Sequence, residues 1–154
     1  MPGTFPQIYI QAVFAVKGRD NLLLKDWRNE VFKYMSGIIE NKEQKSIIVN
    51  GVADHVHLFI GLKPSMALSN LMRDVKNNSA NFINDQKWLK GKFSWQEGFG
   101  AFSYSHSHIR KVYDYVFNQE EHHKKRTFRE EYIGLLNKFQ VPHEEGFLFD
   151  WIEM

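Results

Sequence analysis

The spacing of apolar residues predicts a chain that alternates strands and helices. Apolar residues two apart indicate strands, and apolar residues three and four apart indicate helices. The sequence therefore predicts strands over residues 7–17, 45–52, 55–62, 93–95 and 99–105, and helices over residues 26–41, about 65–85, 107–121 and 124–139. This order is the split β-α-β-β-α-β pattern. We expect an α+β fold, with a ferredoxin-like antiparallel sheet packed with helices and followed by C-terminal helices.

The two long helices of the N-terminal part have candidate N-caps in the sequence. Asp26 precedes the first helix, and Ser65 or Ser69 precedes the apolar stripe of the second. Short polar side chains at these positions accept hydrogen bonds from free backbone N–H groups. We therefore expect these residues to cap the helices.

Composition limits the domain count and the chemistry. The 154 residues are 43% hydrophobic, which suits a single domain over residues 1–154, its C-terminal helices and tail starting near residue 107. With no cysteine, any metal must have His, carboxylate, amide or water ligands. The net charge of +2 means that a nucleic-acid surface would have to be local. Lacking a long apolar run or a signal-peptide pattern, the protein is expected in the cytoplasm, without a membrane partner.

Two histidines share one face of a predicted strand. The run Asp54–Gly61 alternates, so that His55 and His57 point to one side and Val56 and Leu58 to the other. The two imidazoles lie about 6.6 Å apart along such a strand. They can hold one divalent cation if further ligands arrive from elsewhere. Two polar residues on a half-exposed strand are the alternative.

A tyrosine lies off the apolar stripe of the helix predicted over residues 107–121. The stripe contains Ile109, Val112, Tyr113, Val116 and Phe117, so Tyr113 is expected in the core. Tyr115 instead shares a face with Gln119, four residues on. The alternative is a surface tyrosine on a partner-binding face.

Together these elements suggest phosphodiester chemistry. His55, His57 and the Gln119 side-chain oxygen would bind a divalent metal, Mg²⁺ or Mn²⁺, with Zn²⁺, Ni²⁺ and Co²⁺ also compatible with imidazole. The cation would withdraw charge from the scissile phosphate. Tyr115 would attack the phosphorus and form a covalent phosphotyrosine.

The motifs resemble those of the HUH-type single-tyrosine transposases of insertion sequences that move as single-stranded DNA, a group that includes REP-associated tyrosine transposases. The decisive features are His-hydrophobe-His followed downstream by Tyr-x-x-x-Gln. The resemblance covers most of the chain and includes residues 13–17, 54–58, 71–79, 95–103 and 115–119, followed by His122-His123.

The resemblance implies a transposase that cleaves and rejoins single-stranded DNA at hairpin-bearing element ends. Tyr115 would be the nucleophile, forming a 5′-phosphotyrosine and releasing a 3′-OH, with His55, His57 and Gln119 as metal ligands. A homodimer without a small-molecule cofactor is also implied. A non-mobile relative that binds chromosomal hairpins with little or no strand transfer is the alternative within the family.

Local basic residues are candidate DNA contacts. They lie on the second long helix and after the tyrosine helix: Arg73, Lys76, Asn77, Lys124, Lys125 and Arg126. Cations and amides of this kind contact phosphates and bases. Solvated helix faces would explain them equally well.

Two classes outside strand transfer are also compatible with the sequence. A hairpin-binding protein on the same scaffold would bind DNA without needing Tyr115. A ferredoxin-like metal module would take up metal at His55 and His57 but show no salt-sensitive affinity for DNA. Neither class explains why Tyr115 and Gln119 would share a polar face. Relaxases and rolling-circle initiators use related chemistry but are usually larger.

Overall fold

The computed structural model describes residues 3–152 and has a four-stranded antiparallel sheet packed with helices. The strands are β1 (Tyr9–Ala15), β2 (Lys45–Gly51), β3 (His55–Gly61) and β4 (Gly100–Tyr104), in the spatial order β2-β3-β1-β4. The α-helices are α1 (Arg28–Asn41), α2 (Leu68–Gln86), α3 (Ile109–Phe117), α4 (Gln119–His122) and α5 (Phe128–Lys138). The predicted ferredoxin-like α+β fold is confirmed. Within residues 3–152, no helix has the length and apolar character needed to cross a membrane.

Helices cover both faces of the sheet, and β3 is therefore buried along almost its whole length. Val56, Leu58 and Ile60 belong to the large core that includes the buried residues of α1 and α2. Phe59 points to the opposite face and packs with Val112 and Val116 of α3. Since side chains alternate along a strand, His55 and His57 share the face of Phe59. The histidine pair is therefore buried beneath the C-terminal helices.

Several local predictions are wrong. Residues 93–95 do not form a strand, since Trp95 makes one isolated antiparallel bridge with Val16. The N-cap of α1 is Trp27, not Asp26, and that of α2 is Ala67, not Ser65 or Ser69. Both helices begin without a side-chain cap hydrogen bond, so burial of their apolar faces stabilises them without the about 1 kcal/mol that a polar cap contributes.

The predicted tyrosine helix is two helices. It breaks at Asn118, whose side chain donates a hydrogen bond to the Asp114 carbonyl at 2.8 Å, and α4 then begins at Gln119. Only part of the predicted apolar stripe is buried, because Phe117 is 62% exposed and stacks on a half-buried Tyr113. The expectation that Tyr113 lies in the core is therefore wrong.

Gly100 allows α5 to approach β4 closely. A Cβ at this position would lie 2.5 Å from the Tyr132 hydroxyl and 2.6 Å from its ring. We expect Gly100→Ala to lower the free energy of unfolding by about 1–3 kcal/mol through overpacking. In contrast, Gly37→Ala in α1 meets open space and should stabilise the protein by about 0.5–1 kcal/mol. Urea unfolding of both variants tests this, and equal stability of the two would contradict the close approach.

Candidate active site

The two histidines are fully buried and held by hydrogen bonds on their Nδ1 atoms. His55 Nδ1 lies 2.7 Å from Asp54 Oδ1, and His57 Nδ1 lies 2.9 Å from Gln11 Nε2. Gln11 is in turn fixed by Tyr104, whose hydroxyl donates to Gln11 Oε1 at 2.8 Å. Partners of this kind set the orientation of an imidazole ring. Both Nε2 atoms consequently point to the same place beneath α5.

Glu131 of α5 supplies a carboxylate at that place. Its Oε1 atom lies 3.0 Å from His55 Nε2, 3.1 Å from His57 Nε2 and 2.9 Å from His123 Nε2. The Glu131 side chain is fully buried. A buried carboxylate is tolerated because three imidazoles surround it.

The second oxygen of Glu131 faces the tyrosine. Tyr115 donates its hydroxyl hydrogen to Glu131 Oε2, and Gln119 Nε2 donates to the same atom at 3.1 Å. The Gln119 Oε1 atom lies 3.1 Å from His55 Nε2. The predicted tyrosine, histidines and glutamine therefore meet within one chain, and Glu131 connects them.

Neighbouring side chains fix this arrangement. Asn50 of β2 donates from Nδ2 to the carbonyls of Val116 and Phe117, each at 3.0 Å, and so ties the end of α3 to the sheet. Phe128, the first residue of α5, stacks on the His55 ring, with the two ring centres 3.9 Å apart. Thr127 caps α5 in a capping box with Glu130, so that the start of the helix that carries Glu131 is defined.

The charges of the site are strongly coupled. Burial by itself would lower the pKa of His55, but hydrogen bonds and charge from Asp54 and Glu131 outweigh it and raise that pKa to about 9. Burial lowers the pKa of His57 despite the nearby Glu131. Burial also favours the neutral form of Glu131, yet the histidines hold its pKa well below the ordinary value. Burial and the Glu131 charge raise the pKa of Tyr115.

The donor set fits a divalent metal. His55, His57 and Glu131 each offer a ligand atom, and these atoms lie within 4.8 Å of one another. Two imidazoles and a carboxylate suit several divalent ions. A metal held by His57 Nε2 would require the ring proton on Nδ1, and the Gln11 amide would then face Nδ1 with its oxygen in place of its nitrogen. The predicted ligands His55 and His57 are brought together, and Gln119 lies beside them.

Arg126 is the predicted DNA-binding residue that reaches the tyrosine, donating from Nη2 to the Tyr115 oxygen at 2.7 Å. Arg73 and Asn77 line a separate groove of about 660 Å³ between α2 and residues 92–99. Lys76 donates from Nζ to two backbone carbonyls of that segment, at 2.7 and 2.9 Å. Lys124 and Lys125 are exposed after α4.

Glu131 and His123 are the site residues that the sequence interpretation missed. Glu131 lies on the buried side of α5 with Phe128, Tyr132 and Leu136. A carboxylate within an apolar stripe is a usable signal, since acidic residues are rarely buried without a partner. His123 adjoins the tyrosine helix, but the sequence offers nothing that separates it from the neighbouring His122.

Comparisons with known proteins identify the fold and the family of this chain. Two of the solved structures that share the fold are transposases. The first is a candidate transposase from Deinococcus radiodurans R1, with a TM-score of 0.61 and 17% identity, and the match covers 77% of this chain and 95% of that one. The second is a REP-associated tyrosine transposase bound to a REP hairpin, with a TM-score of 0.59 and 14% identity, and the match covers 80% of this chain and 73% of that one. No curated protein matches the chain. The sequence profile of the IS200-like transposases matches residues 4–119, from before β1 to Gln119. The chain therefore belongs to the IS200-like transposase family.

Proposed function

We propose that this protein is a metal-dependent strand transferase that cleaves and rejoins single-stranded DNA through Tyr115. The observation that carries the proposal is the position of Glu131, which contacts the histidine pair with one oxygen and the Tyr115 hydroxyl with the other. A nucleophile and a metal site joined in this way suit attack on a phosphodiester.

Cleavage uses the residues in defined roles. The Tyr115 oxygen attacks the phosphorus, the bond from phosphorus to the 3′-oxygen breaks, and a 5′-phosphotyrosine forms. Glu131 Oε2 already accepts the phenol hydrogen, so it takes the proton only as the bond from Tyr115 to phosphorus forms and passes it to the leaving 3′-oxygen. It does not hold the proton as a stable carboxylic acid, which its lowered pKa disfavours. Reversal with another 3′-OH rejoins the strand. A bound Mg²⁺ or Mn²⁺, held by His55, His57 and Glu131, would supply charge neutralisation at the phosphate.

The proposed substrate is single-stranded DNA that bears a hairpin. A structural neighbour of this chain is bound to a REP hairpin. The groove lined by Arg73 and Asn77 offers cationic and amide groups on α2, away from the tyrosine. A homodimer in the cytoplasm is part of this proposal; within the described chain, Tyr115 and the histidine pair contact the same Glu131 carboxylate.

The test is a gel assay for a covalent protein–DNA species. Wild type should form a Mn²⁺-dependent adduct with single-stranded hairpin oligonucleotides from DNA flanking the gene, and Tyr115→Phe should form none, because it lacks the attacking oxygen. Tyr113→Phe on the same helix is the matched control and should retain the adduct, since Tyr113 stacks on the exposed Phe117.

An adduct that persists in Tyr115→Phe would refute the assignment of the nucleophile. Hairpin binding by wild type without an adduct, over a set of oligonucleotides and metals, would instead indicate a DNA-binding relative.

A further inference from the structure

A cationic cavity opens beside the Tyr115 hydroxyl. It has a volume of about 400 Å³ and lies between α3, α5 and the end of β4. Tyr115 and Glu131 form one side of it, and Tyr104 lines it as well. Three cationic side chains contribute to its wall, namely Lys111, Arg126 and Lys138. This surplus of positive charge is local, since the chain as a whole has a net charge of only +2.

Arg126 donates a hydrogen bond to the Tyr115 oxygen, the proposed attacking atom. Its Nη2 lies 2.7 Å from the Tyr115 oxygen, and its guanidinium carbon lies 5.9 Å from the Tyr115 ring centre. The Glu131 carboxylate is farther away, at 4.0 Å from Nη2. The Arg126 side chain is 40% exposed, so it borders both the buried site and the cavity. A guanidinium has five N–H donors, and the Tyr115 oxygen accepts from one of them.

We propose that this cavity binds the scissile phosphate and its adjoining nucleotide, and that Arg126 is a catalytic residue for cleavage. The proposal rests on the proposed function, because a phosphorus under attack by Tyr115 must lie next to the phenol oxygen. The Arg126 guanidinium then contacts that oxygen and a non-bridging phosphate oxygen together. Lys111 and Lys138 neutralise flanking phosphates, and Tyr104 offers a ring to a base. Arg126 lies beyond the family match of residues 4–119.

The charge of the scissile phosphate provides the test. The cleavage position is first mapped with wild type, and a second oligonucleotide then has a neutral methylphosphonate there. On the ordinary phosphodiester, Arg126→Ala should slow adduct formation about 10²–10³-fold at saturating DNA, as expected for loss of a donor to developing charge. On the methylphosphonate, the difference from wild type should shrink to less than about tenfold, because the charge that Arg126 neutralises is gone.

Control variants separate this role from a structural one. Arg129→Ala, in the first turn of α5, removes an exposed arginine that pairs with Glu145 at 2.8 Å and should leave both rates unchanged. Free guanidinium ion at non-denaturing concentration should partly restore the adduct to Arg126→Ala. Arg126→Lys keeps the charge but loses the planar fork, so its rate should fall between those of wild type and Arg126→Ala.

Several outcomes would overturn the inference. A wild-type rate for Arg126→Ala would show that the guanidinium does not act in the reaction. Equal losses on both substrates would make Arg126 a positioning residue. The cavity is also tested by equilibrium binding of the oligonucleotide, where Arg126→Ala should reduce the slope of log affinity against log salt by about 1. An unchanged slope would reject the phosphate contact, whether or not wild type forms an adduct. Absence of the adduct in wild type would by itself contradict only the proposed function.

Discussion

Replacement of Glu131 by Gln should weaken Mn²⁺ binding by at least about 10–100-fold and slow adduct formation by about 10²–10⁴-fold. Glutamine has nearly the same shape, but it lacks the charge that the His55 and His57 Nε2 atoms face and cannot take the Tyr115 proton. The metal-free protein should also lose about 1–3 kcal/mol of unfolding free energy, because the buried His55 then has Asp54 but no longer Glu131 as a counter-charge. Mn²⁺ titration calorimetry, the adduct rate and urea unfolding measure the three effects.

Glu130→Gln is the matched control for this prediction. Glu130 is exposed and accepts hydrogen bonds from Thr127 in the capping box, a role that glutamine can also fill. This variant should bind Mn²⁺ like wild type. If Glu131→Gln folds and also binds Mn²⁺ like wild type, then Glu131 is not a metal ligand, and Gln119→Leu should produce the loss instead.

The histidine face and the polar side of the tyrosine helix were predictable because each depends on one local period. Alternation along β3 places His55 with His57, and helical spacing separates Tyr115 from the buried Val112 and Val116. These periods require no knowledge of the rest of the chain. The same reasoning gives the order of strands and helices, and with it the ferredoxin-like topology.

Glu131 was not predictable in this way, because its role depends on how α5 packs across the sheet. It lies in a different helix from Tyr115, and only the tertiary arrangement brings its carboxylate between the tyrosine and the histidines. The expectation for Gln119 had a similar limit. It was based on one continuous helix, whereas the chain breaks at Asn118, and Gln119 reaches His55 from the short helix that follows.

The pH dependence of the metal site follows from the raised pKa of His55. Through Nε2, His55 faces both Glu131 and Gln119, so a proton there occupies the position that a metal would take. With a folded-state pKa of about 9, this proton must be displaced when metal binds at lower pH. We expect Mn²⁺ affinity to rise about tenfold per pH unit between pH 7 and 8. Titration calorimetry in buffers of different ionisation enthalpy measures both the affinity and the released proton.

Stability of the metal-free protein should change in the opposite direction. Because the His55 pKa is about 9 in the folded protein and near 6.5 when unfolded, its contribution is complete below pH 6.5 and is lost as pH rises through 9. The loss can reach about 3 kcal/mol, and urea unfolding at a series of pH values measures it.

Asp54→Asn should move the transition to lower pH and reduce its size, because it removes the carboxylate 2.7 Å from His55 Nδ1. His143→Ala, which alters an exposed histidine in the tail, should leave the profile unchanged. An Mn²⁺ affinity independent of pH, together with a flat stability profile, would mean that His55 is neutral in the metal-free site.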